Sequence, residues 1–233
     1  MESLHSEHAS RKINGQAVWQ ALANSNAPLS RAELARELGL SKQTLSEIMG
    51  LLERAEWTKT AGHKQGALGR AAQSYEINPD AGFVLGVVFE GEQFTMGLAD
   101  MRGQIRVKKS GRLTAKALVD GGALGEQLIH LVQGLIADSG VKTSAIRYMV
   151  IGCPGVVDPV SLRVHHSPNL TSLQNLDLKR VLADRFEWPI FLHNDLNLHA
   201  YGEYRYGCSQ NTSSSVFIGL GSGIGMGIML GGQ

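Results

Sequence analysis

The sequence predicts an α/β protein in two parts, a small helix-turn-helix unit with a β-hairpin and a larger domain of alternating strands and helices. Three observations support this prediction. Two short helical stretches meet at Gly39, and a glycine-rich segment lies between two strand-like runs after Trp57. From Phe83 onward, three strand-like runs follow one another. We place the two parts at residues 11–79 and 80–233.

The helix-turn-helix prediction depends on capping residues and apolar spacing. A first helix is predicted at residues 13–22, and Ser30 with Glu33 forms a capping box at the start of a second helix. Gly39 ends this second helix, and Ser41 is a candidate N-cap for a third. Apolar residues then recur at helical spacing and predict one buried stripe: Leu45, Ile48, Met49 and Leu52.

The third helix and the following hairpin carry the candidate DNA contacts. In a helix-turn-helix, the N-terminal residues of the recognition helix reach the base edges. Residues 59–70 contain several basic residues and no acid, as in the wing of a winged helix. The predicted DNA-binding residues are Ser41, Lys42, Gln43, Thr44, Ser46, Lys64 and Arg70.

Alternative roles stay open for these residues. A plain three-helix bundle with a solvated polar face has the same helical spacing. Gln43 could pair with adenine and Lys42 with guanine or phosphate, while Arg70 is either a minor-groove contact or a solvated loop arginine. The net charge is only +1, from 22 basic and 21 acidic residues, so DNA contacts must come from this local patch.

The larger domain is predicted to be an α/β sheet of the ribonuclease-H-like type. Turns at residues 90–93 and 100–103 join three strands from Phe83, and a long amphipathic helix extends from Ala117 to Leu135. Two further strands run into the polar sequences "GCPG" and "HND". A helix follows the second of these, and the glycine-rich final segment supplies two more strands.

Composition argues against several classes of protein. Two cysteines argue against a disulfide framework and fit a reducing compartment. No apolar run reaches about 18 residues, and the N-terminal segment lacks the apolar part of a signal peptide. The expected location is the cytoplasm, without a membrane partner.

Five stretches of the sequence resemble motifs of the ROK family (repressors, open reading frames, kinases), and within it those of the transcriptional regulators. "GCPGVVD", "SPNL" and "HNDLNLHAYGEYRYG" resemble the family's G-x-P-G-x-V-D, P-N-L and E-N-D-A-N-A-A-A-x-G-E-x-x-x-G motifs. "LSRAELARELGLSKQTLSEIMGLLE" and "GALGRAAQSYEINP" resemble the regulators' winged helix and its G-x-G-R-P linker. The resemblance spans residues 11–233 and implies a winged helix-turn-helix followed by a sugar-kinase-like domain of the actin-like ATPase type.

The resemblance also implies a sugar pocket. By position in the motifs, Asn169, Asn194 and Asp195 would line this pocket, and Gly155 would let the backbone approach a ligand closely. Asp195 matches the catalytic base of the family's kinases. From the residues alone, Asp195 could instead be a helix N-cap after a strand.

Departures from the family's kinases predict a protein that is not an enzyme. The kinases carry D-x-G-G-T between their first two strands, where this chain has Val88, Glu90 and Glu92 at the aspartate, the first glycine and the threonine. Two carboxylates would repel nucleotide phosphates. We therefore expect no catalytic residue and no cofactor.

The chain also stops before two stretches that the resemblance implies, an E-x-G-H sugar contact and a cysteine-rich zinc loop. A C-terminally truncated member with an incomplete sugar-kinase-like domain is therefore expected. Two cysteines in other motifs do not form the family's zinc site, so no metal is expected.

The predicted function is a sequence-specific DNA-binding transcriptional regulator of carbohydrate metabolism, acting as a repressor, with a non-catalytic sugar-sensing domain. Its expected partners are a double-stranded DNA operator, a sugar or sugar derivative bound more weakly because of the truncation, and a second copy in a homodimer. Two alternatives remain, a ROK-type ATP-dependent sugar kinase and a truncated regulator that no longer senses sugar.

Overall fold

A computed structural model describes residues 2–65, 71–158, 160–174, 176–221 and 223–232, with side chains from residue 11 onward except at positions 63–65 and 71. The chain divides into two compact units. The first comprises the residues up to Gly82 together with Asp100–Gln104, and the second comprises Phe83–Ala99 and the residues from Ile105. Within the described ranges, no helix combines the length and the apolar character needed to cross a bilayer.

Among its described residues, the first unit contains three α-helices and a small antiparallel sheet. Its elements along the chain are α1 (Glu2–Asn24), β1 (Leu29–Ser30), α2 (Arg31–Leu38), α3 (Lys42–Arg54), β2 (Thr58–Gln65) and β3 (Ala71–Ile77). The strand order is β1-β3-β2, with β3 antiparallel to both neighbours. Helix α1 begins well before the predicted residue 13, because residues 2–14 contain neither glycine nor proline to stop it.

Capping residues set the ends of α2 and α3. The Glu33 N–H donates to Ser30 Oγ at 3.3 Å and the Ser30 N–H donates to Glu33 Oε2 at 2.7 Å, which confirms the predicted capping box. Gly39 ends α2 with a left-handed φ of 64°, a conformation that glycine adopts at little cost. Ser41 caps α3, because its Oγ accepts a hydrogen bond from the Thr44 N–H at 3.1 Å.

The core of the first unit confirms the apolar stripe predicted for α3. All four members of the stripe are buried. They pack in one cluster with apolar residues of α1, α2 and β3: Val18, Leu22, Leu34, Tyr75 and Ile77. Each large side chain buried here contributes about 1.5–3 kcal/mol to folding. Helix α3 therefore keeps its opposite, polar face toward solvent.

The second unit combines a five-stranded sheet with four helices and two further hairpins among its described residues. Its elements along the chain are β4 (Phe83–Glu90), β5 (Gln93–Asp100), β6 (Ile105–Arg112), α4 (Ala115–Val119), α5 (Gly121–Ser139), β7 (Ile146–Cys153), β8 (Val156–Asp158), β9 (Arg163–His166), α6 (Leu178–Ala183), β10 (Ile190–Asn194), α7 (Asp195–Tyr206), β11 (Ser214–Leu220) and β12 (Ile224–Leu230). This mixture confirms the predicted α/β class.

Parallel pairing brings three strand ends to one edge of the main sheet. The strand order is β10-β7-β4-β5-β6, and β7 runs parallel to both β4 and β10. Gly152 of β7 lies opposite Val88 of β4 and His193 of β10, and Cys153 lies opposite Asn194. The residues that follow these strands therefore meet at the carboxyl-terminal edge, where open α/β sheets bind their ligands.

The single long helix predicted from Ala117 to Leu135 is wrong, because the chain forms two helices separated at Asp120. Asp120 is extended (φ −117°, ψ 118°), and its Oδ1 accepts a hydrogen bond from the Ala123 N–H at 2.6 Å. The side chain thus caps α5 and interrupts α4. The apolar spacing still predicts the inward face of α5, whose buried residues include Leu124, Leu128, Val132 and Leu135.

The β11–β12 hairpin packs on α7 through its glycines. The two strands are antiparallel, with Gly219 opposite Gly225. A Cβ atom at Gly219, Gly225 or Gly227 would clash with Leu196 of α7, so backbone and helix lie in close contact. The other face of the hairpin carries exposed aliphatic side chains: Val216, Ile218, Leu220, Ile224, Met226, Ile228 and Leu230.

Candidate functional site

A cleft of about 670 Å³ lies at the carboxyl-terminal edge of the five-stranded sheet. Its walls come from the ends of β4 and β10, the start of α7, the loops after β7 and β9, and the β11–β12 hairpin. The four residues predicted to contact sugar all line it: Gly155, Asn169, Asn194 and Asp195. The fold thus brings residues of three separate motifs into one space of a size that suits a small ligand.

Gly155 forms the turn between β7 and β8 and shapes one wall of the cleft. Its φ of 102° lies in the region that favours glycine. A Cβ atom at this position would overlap the carbonyl oxygen of His166 in β9. Only glycine therefore allows β9 to pass this close to the turn.

Asn194 uses both ends of its amide within the protein. Its Nδ2 donates to the Gly155 carbonyl oxygen at 3.0 Å, and its Oδ1 accepts from the Asn197 N–H at 3.1 Å. Asn194 is therefore the N-cap of α7, the role that the sequence alone left open for Asp195. One amide hydrogen of Asn194 is not used by these two bonds.

Asp195 is the first residue of α7, and its carboxylate is partly buried in the cleft. The Leu196 N–H donates to its Oδ1 at 2.9 Å. Burial raises the pKa of Asp195, the Leu196 N–H and the neighbouring His199 lower it in part, and Glu90 raises it further. A partly desolvated carboxylate of this kind is a strong acceptor for hydroxyl groups.

His199 lines the cleft, although the sequence analysis assigned it no role. Its Nε2 lies 3.4 Å from Glu90 Oε1, and its ring stacks on Phe217 with centroids 5.3 Å apart and planes 16° apart. His199 follows Asp195 by four residues on α7, so both side chains lie on one helical face. That spacing was the signal in the sequence that could have identified it.

Asn169 lies in the loop after β9, close to the β11–β12 turn. A Cβ atom on Gly223 would stand 3.7 Å from Asn169 Nδ2, which places the amide beside that turn. Asn169 is exposed to solvent within the cleft. Its amide can therefore both donate to and accept from a polar ligand.

The described part of the chain shows no group of side chains arranged for metal ligation or for thiol chemistry. No group of three or more His, Cys, Asp or Glu residues there is arranged to hold a metal ion. Cys153 is buried, and its burial strongly raises the pKa of the thiol, so it packs as an uncharged group. Cys208 is exposed on the loop after α7.

The candidate DNA contacts of α3 lie together at its N-terminal end. Lys42, Gln43 and Ser46 are exposed on one face of the helix. The hydroxyl groups of Ser41 and Thr44 lie 2.8 Å apart and hydrogen bond to each other, in addition to the cap. These two residues therefore position the start of the helix, while the other three present side chains to solvent.

Glu47 is an acidic residue on this face that the sequence analysis did not include. Gln43 Nε2 donates to its Oε1 at 3.4 Å, and Arg11 Nη2 of α1 lies 3.7 Å from its Oε2. Both partners of the ion pair are more than half exposed, so the pair is weak in water. A carboxylate here opposes the approach of DNA phosphates.

Lys64 and Arg70 are the two predicted DNA contacts that follow α3 in the sequence. The backbone of Lys64 lies in β2, opposite Ala72 of β3. Arg70 lies outside the described residues, and so does the side chain of Lys64. Lys59, nearer the start of β2, forms an ion pair with Glu76 at 3.2 Å.

The chain shares its sequence and fold with known proteins. The sequence pattern of the ROK family matches residues 84–233, which is more than half of the chain. The chain belongs to the ROK family. Relatives of this ROK protein include the xylose repressor of Bacillus spizizenii, 24% identical over 220 residues, and the DNA-binding transcriptional dual regulator NagC of Escherichia coli, 23% identical over 223 residues.

These matches extend beyond the family's common domain. They cover 94% and 96% of this ROK protein, and so include its first unit, but only 56% and 54% of the two relatives. The chain thus spans about half the length of the curated relatives it matches.

Solved structures share the fold. A ROK family transcriptional regulator described as a homolog of the E. coli MLC protein has a TM-score of 0.79 at 23% identity, over 96% of this ROK protein and 55% of that chain. The ROK hexokinase from Thermus thermophilus has a TM-score of 0.55 at 26% identity, over 65% of this ROK protein and 48% of that chain. The likeness to the kinase covers a smaller part of the chain.

Proposed function

We propose that this ROK protein is a sequence-specific DNA-binding regulator of carbohydrate metabolism that represses transcription. In this proposal the second unit binds a sugar effector and does not phosphorylate it. One observation carries the proposal: a single chain joins a helix-turn-helix with an exposed polar face to a ROK domain with a polar cleft. Matches to named sugar repressors over nearly the whole chain support it.

The first unit is, in this proposal, a winged helix-turn-helix. Helices α2 and α3 meet at the Gly39 turn, α3 is the recognition helix, and the β2–β3 hairpin is the wing. Lys42, Gln43 and Ser46 would reach base edges in the major groove, and Lys64 and Arg70 would approach the backbone or minor groove. Ser41 and Thr44 would hold the start of α3 against the DNA.

The second unit supplies the sugar site in this proposal. Asp195 would accept hydrogen bonds from sugar hydroxyls, and the amide of Asn169 would donate to or accept from neighbouring hydroxyls. Asn194 would offer its remaining amide hydrogen, while Gly155 keeps the wall free of side chains. A cleft lined by a carboxylate and amides, with apolar Phe217 beside them, suits the alternating polar and apolar surface of a sugar.

Sensing is favoured over phosphoryl transfer because the phosphate-binding turn is altered. Val88 stands where the kinases carry an aspartate, so the group that would organise Mg²⁺ is replaced by an apolar one. Glu90 places a carboxylate at the border of the cleft, and Glu92 forms an ion pair with Arg112. Nucleotide phosphates would meet negative charge in this turn.

An ATP-dependent sugar kinase is the second candidate, and one observation favours it. Asp195 occupies the position of the family's base, and its raised pKa is typical of a group that accepts a proton. A coupled assay for ADP release, run with hexoses and Mg-ATP, tests this candidate. Sugar-dependent release that disappears in Asp195→Asn would establish the kinase and overturn the sensing role.

Selection of bound duplexes from a random DNA library tests the regulator, followed by mobility-shift titration at fixed salt. The expected result is an inverted repeat bound about 10³-fold or more tighter than random DNA, as a homodimer requires. Gln43→Ala should weaken this preference, whereas Lys116→Ala, an exposed change on α4, should leave it unchanged. No enriched sequence, or equal effects of the two variants, would contradict the proposal.

The same titration, repeated with sugars, distinguishes the remaining alternative. A sugar that lowers the affinity for the selected site supports effector sensing. Site-specific binding that no sugar changes would indicate a regulator that no longer senses sugar.

A further inference from the structure

We propose that the cleft selects sugars that carry no negative charge and that Glu90, held by His199, is the specificity-determining residue that excludes sugar phosphates. This inference rests on the proposed function, since it concerns the ligand of the same cleft. It extends that function by naming the chemical class of the effector, an unphosphorylated sugar that is neutral or bears an amine.

The walls of the cleft are acidic where the structure describes them. They include two carboxylates, Glu90 and Asp195, and two imidazoles, His166 and His199, and the described lining contains no lysine or arginine. Proteins hold phosphate groups with arginine, lysine or protonated histidine, or with unsatisfied backbone N–H groups. Arginine and lysine are missing from the described walls, and one of the two imidazoles, that of His199, lies 3.4 Å from Glu90.

The helix N-terminus in this cleft, which could otherwise bind phosphate, is occupied by the protein itself. Helix α7 begins in the cleft, and its first N–H groups would otherwise attract an anion. The Leu196 N–H instead donates to the Asp195 carboxylate at 2.9 Å, and the Asn197 N–H donates to Asn194 Oδ1 at 3.1 Å. A ligand phosphate would have to displace a carboxylate and an amide that already hold these positions.

A contact with His199 positions Glu90 at the border of the cleft. Its Oε1 lies 3.4 Å from His199 Nε2, and the imidazole in turn stacks on Phe217. Glu90 lies close enough to Asp195 to raise the pKa of that carboxyl group. Both carboxylates line the same cleft, Glu90 from the end of β4 and Asp195 from the start of α7.

Phosphorylation of a sugar would change its fit to this volume in two ways. A hydroxyl group that donates to Asp195 loses its hydrogen when it becomes a phosphate ester. The ester also brings a charge of about −1.5 to −2 beside Asp195 and Glu90, where like charges repel. A free hydroxyl keeps the hydrogen bond, and an ammonium group adds attraction.

Calorimetric titration of the whole chain tests the inference. The probes are D-glucose, D-glucosamine and N-acetyl-D-glucosamine, with the 6-phosphates of D-glucose and N-acetyl-D-glucosamine. We expect each 6-phosphate whose parent sugar binds to bind about tenfold or more weakly than that parent. The ratio of the two dissociation constants, that of the 6-phosphate over that of its parent sugar, should fall about fivefold in Glu90→Gln. This change keeps the shape of the side chain and removes its charge.

Glu92→Gln is the matched control. Glu92 lies in the same turn, forms an ion pair with Arg112, and is not among the described residues of the cleft wall. It should leave the ratio unchanged, although it removes the same charge from the protein. A ratio of two affinities is also insensitive to a general loss of folded protein.

Three results would overturn the inference: a 6-phosphate that binds as tightly as its parent, no binding by any unphosphorylated probe, or an unchanged ratio in Glu90→Gln. DNA binding, measured separately on the same preparation, keeps this failure distinct from failure of the regulator function. If the protein binds an operator selectively and also binds a 6-phosphate tightly, only the proposed selection by charge is contradicted. If the 6-phosphates bind more weakly than their parent sugars as expected but the protein does not bind DNA, only the regulator function is contradicted.

Discussion

The side-chain amide of Asn194 donates a hydrogen bond to the carbonyl oxygen of Gly155 at 3.0 Å, and this bond joins two walls of the cleft. One wall is the turn after β7, and the other is the junction between β10 and α7. The same side chain caps α7 through its oxygen. The arrangement of the cleft therefore depends on one amide that serves a helix and a turn at once.

Replacement of Asn194 by alanine should lower the stability of the second unit. The loss of a helix cap costs about 1 kcal/mol, and the loss of a second hydrogen bond costs about 0.5–1.5 kcal/mol. We expect the midpoint of thermal unfolding, followed by circular dichroism, to fall by about 3–8 °C. Asn197→Ala is the control, because Asn197 is exposed and contributes only its backbone N–H. Equal midpoints for the two variants would show that the cap is unimportant.

Gly155→Ala should disrupt the cleft more severely. The new methyl group would overlap the His166 carbonyl oxygen, and φ would stay at 102°, which an L residue rarely adopts. We expect destabilisation of about 3 kcal/mol or more, measured by urea unfolding. Gly86→Ala in β4 is the control, since no atom lies within 4 Å of its added Cβ. Similar losses in both variants would contradict this account of Gly155.

Asp195→Asn should stabilise the fold at neutral pH. Burial raises the pKa of Asp195 above its value in the unfolded chain, so folding favours the protonated form. The protonated carboxyl group contributes its full stabilisation at pH values below its pKa in the unfolded chain, about 3.9. This stabilisation is lost as the pH rises through the pKa of Asp195 in the folded protein. The variant avoids that loss because asparagine carries no charge.

We expect the midpoint of thermal unfolding of Asp195→Asn to exceed that of the parent by about 1–3 °C at pH 7.5, and by less at pH 4.5. The effect is small because the carboxylate is only partly buried and solvent screens its charge. Asp184→Asn, which removes a carboxylate at an exposed position, is the control. If the midpoint rises more at pH 4.5 than at pH 7.5, the assignment of a raised pKa to Asp195 is contradicted.

Glu47→Gln should strengthen binding to DNA. The change removes a negative charge from the exposed face of α3 while the side chain keeps its length. We expect affinity for a duplex to rise about two- to fivefold at 50 mM salt, with a smaller gain at 200 mM, because salt screens phosphate contacts. Fluorescence anisotropy measures both values. Glu126→Gln on α5 is the charge-matched control, and an equal gain in that variant would exclude a specific role for Glu47.

Local interactions explain which parts of the fold the sequence could predict. The capping box of Ser30 and Glu33, the left-handed Gly39 and the buried stripe of α3 all depend on residues within a few positions of each other. Their patterns are therefore visible in a short window of sequence. The break at Asp120 was missed because an aspartate inside an apolar repeat can either face solvent or cap a new helix.

Long-range contacts explain what the sequence could not predict. The β8–β9 hairpin was not predicted, since its strands are short and depend on the space left beside Gly155. The pairing of Glu90 with His199 joins the end of β4 to α7 across the sheet, and no local pattern records it. The sequence left open an N-cap role for Asp195, whereas the cap is its neighbour Asn194, because asparagine and aspartate both suit that role.

The contact between the β11–β12 hairpin and α7 has a consequence for tolerance to mutation. At Gly225 and Gly227 no side chain fits, whereas the adjacent Met226 and Ile228 face away from the helix with ample space. In a saturation library of this segment, positions that reject every substitution should therefore alternate with positions that accept most aliphatic residues. The alternation should follow the pleat of the strand, residue by residue, and stop where the strand ends.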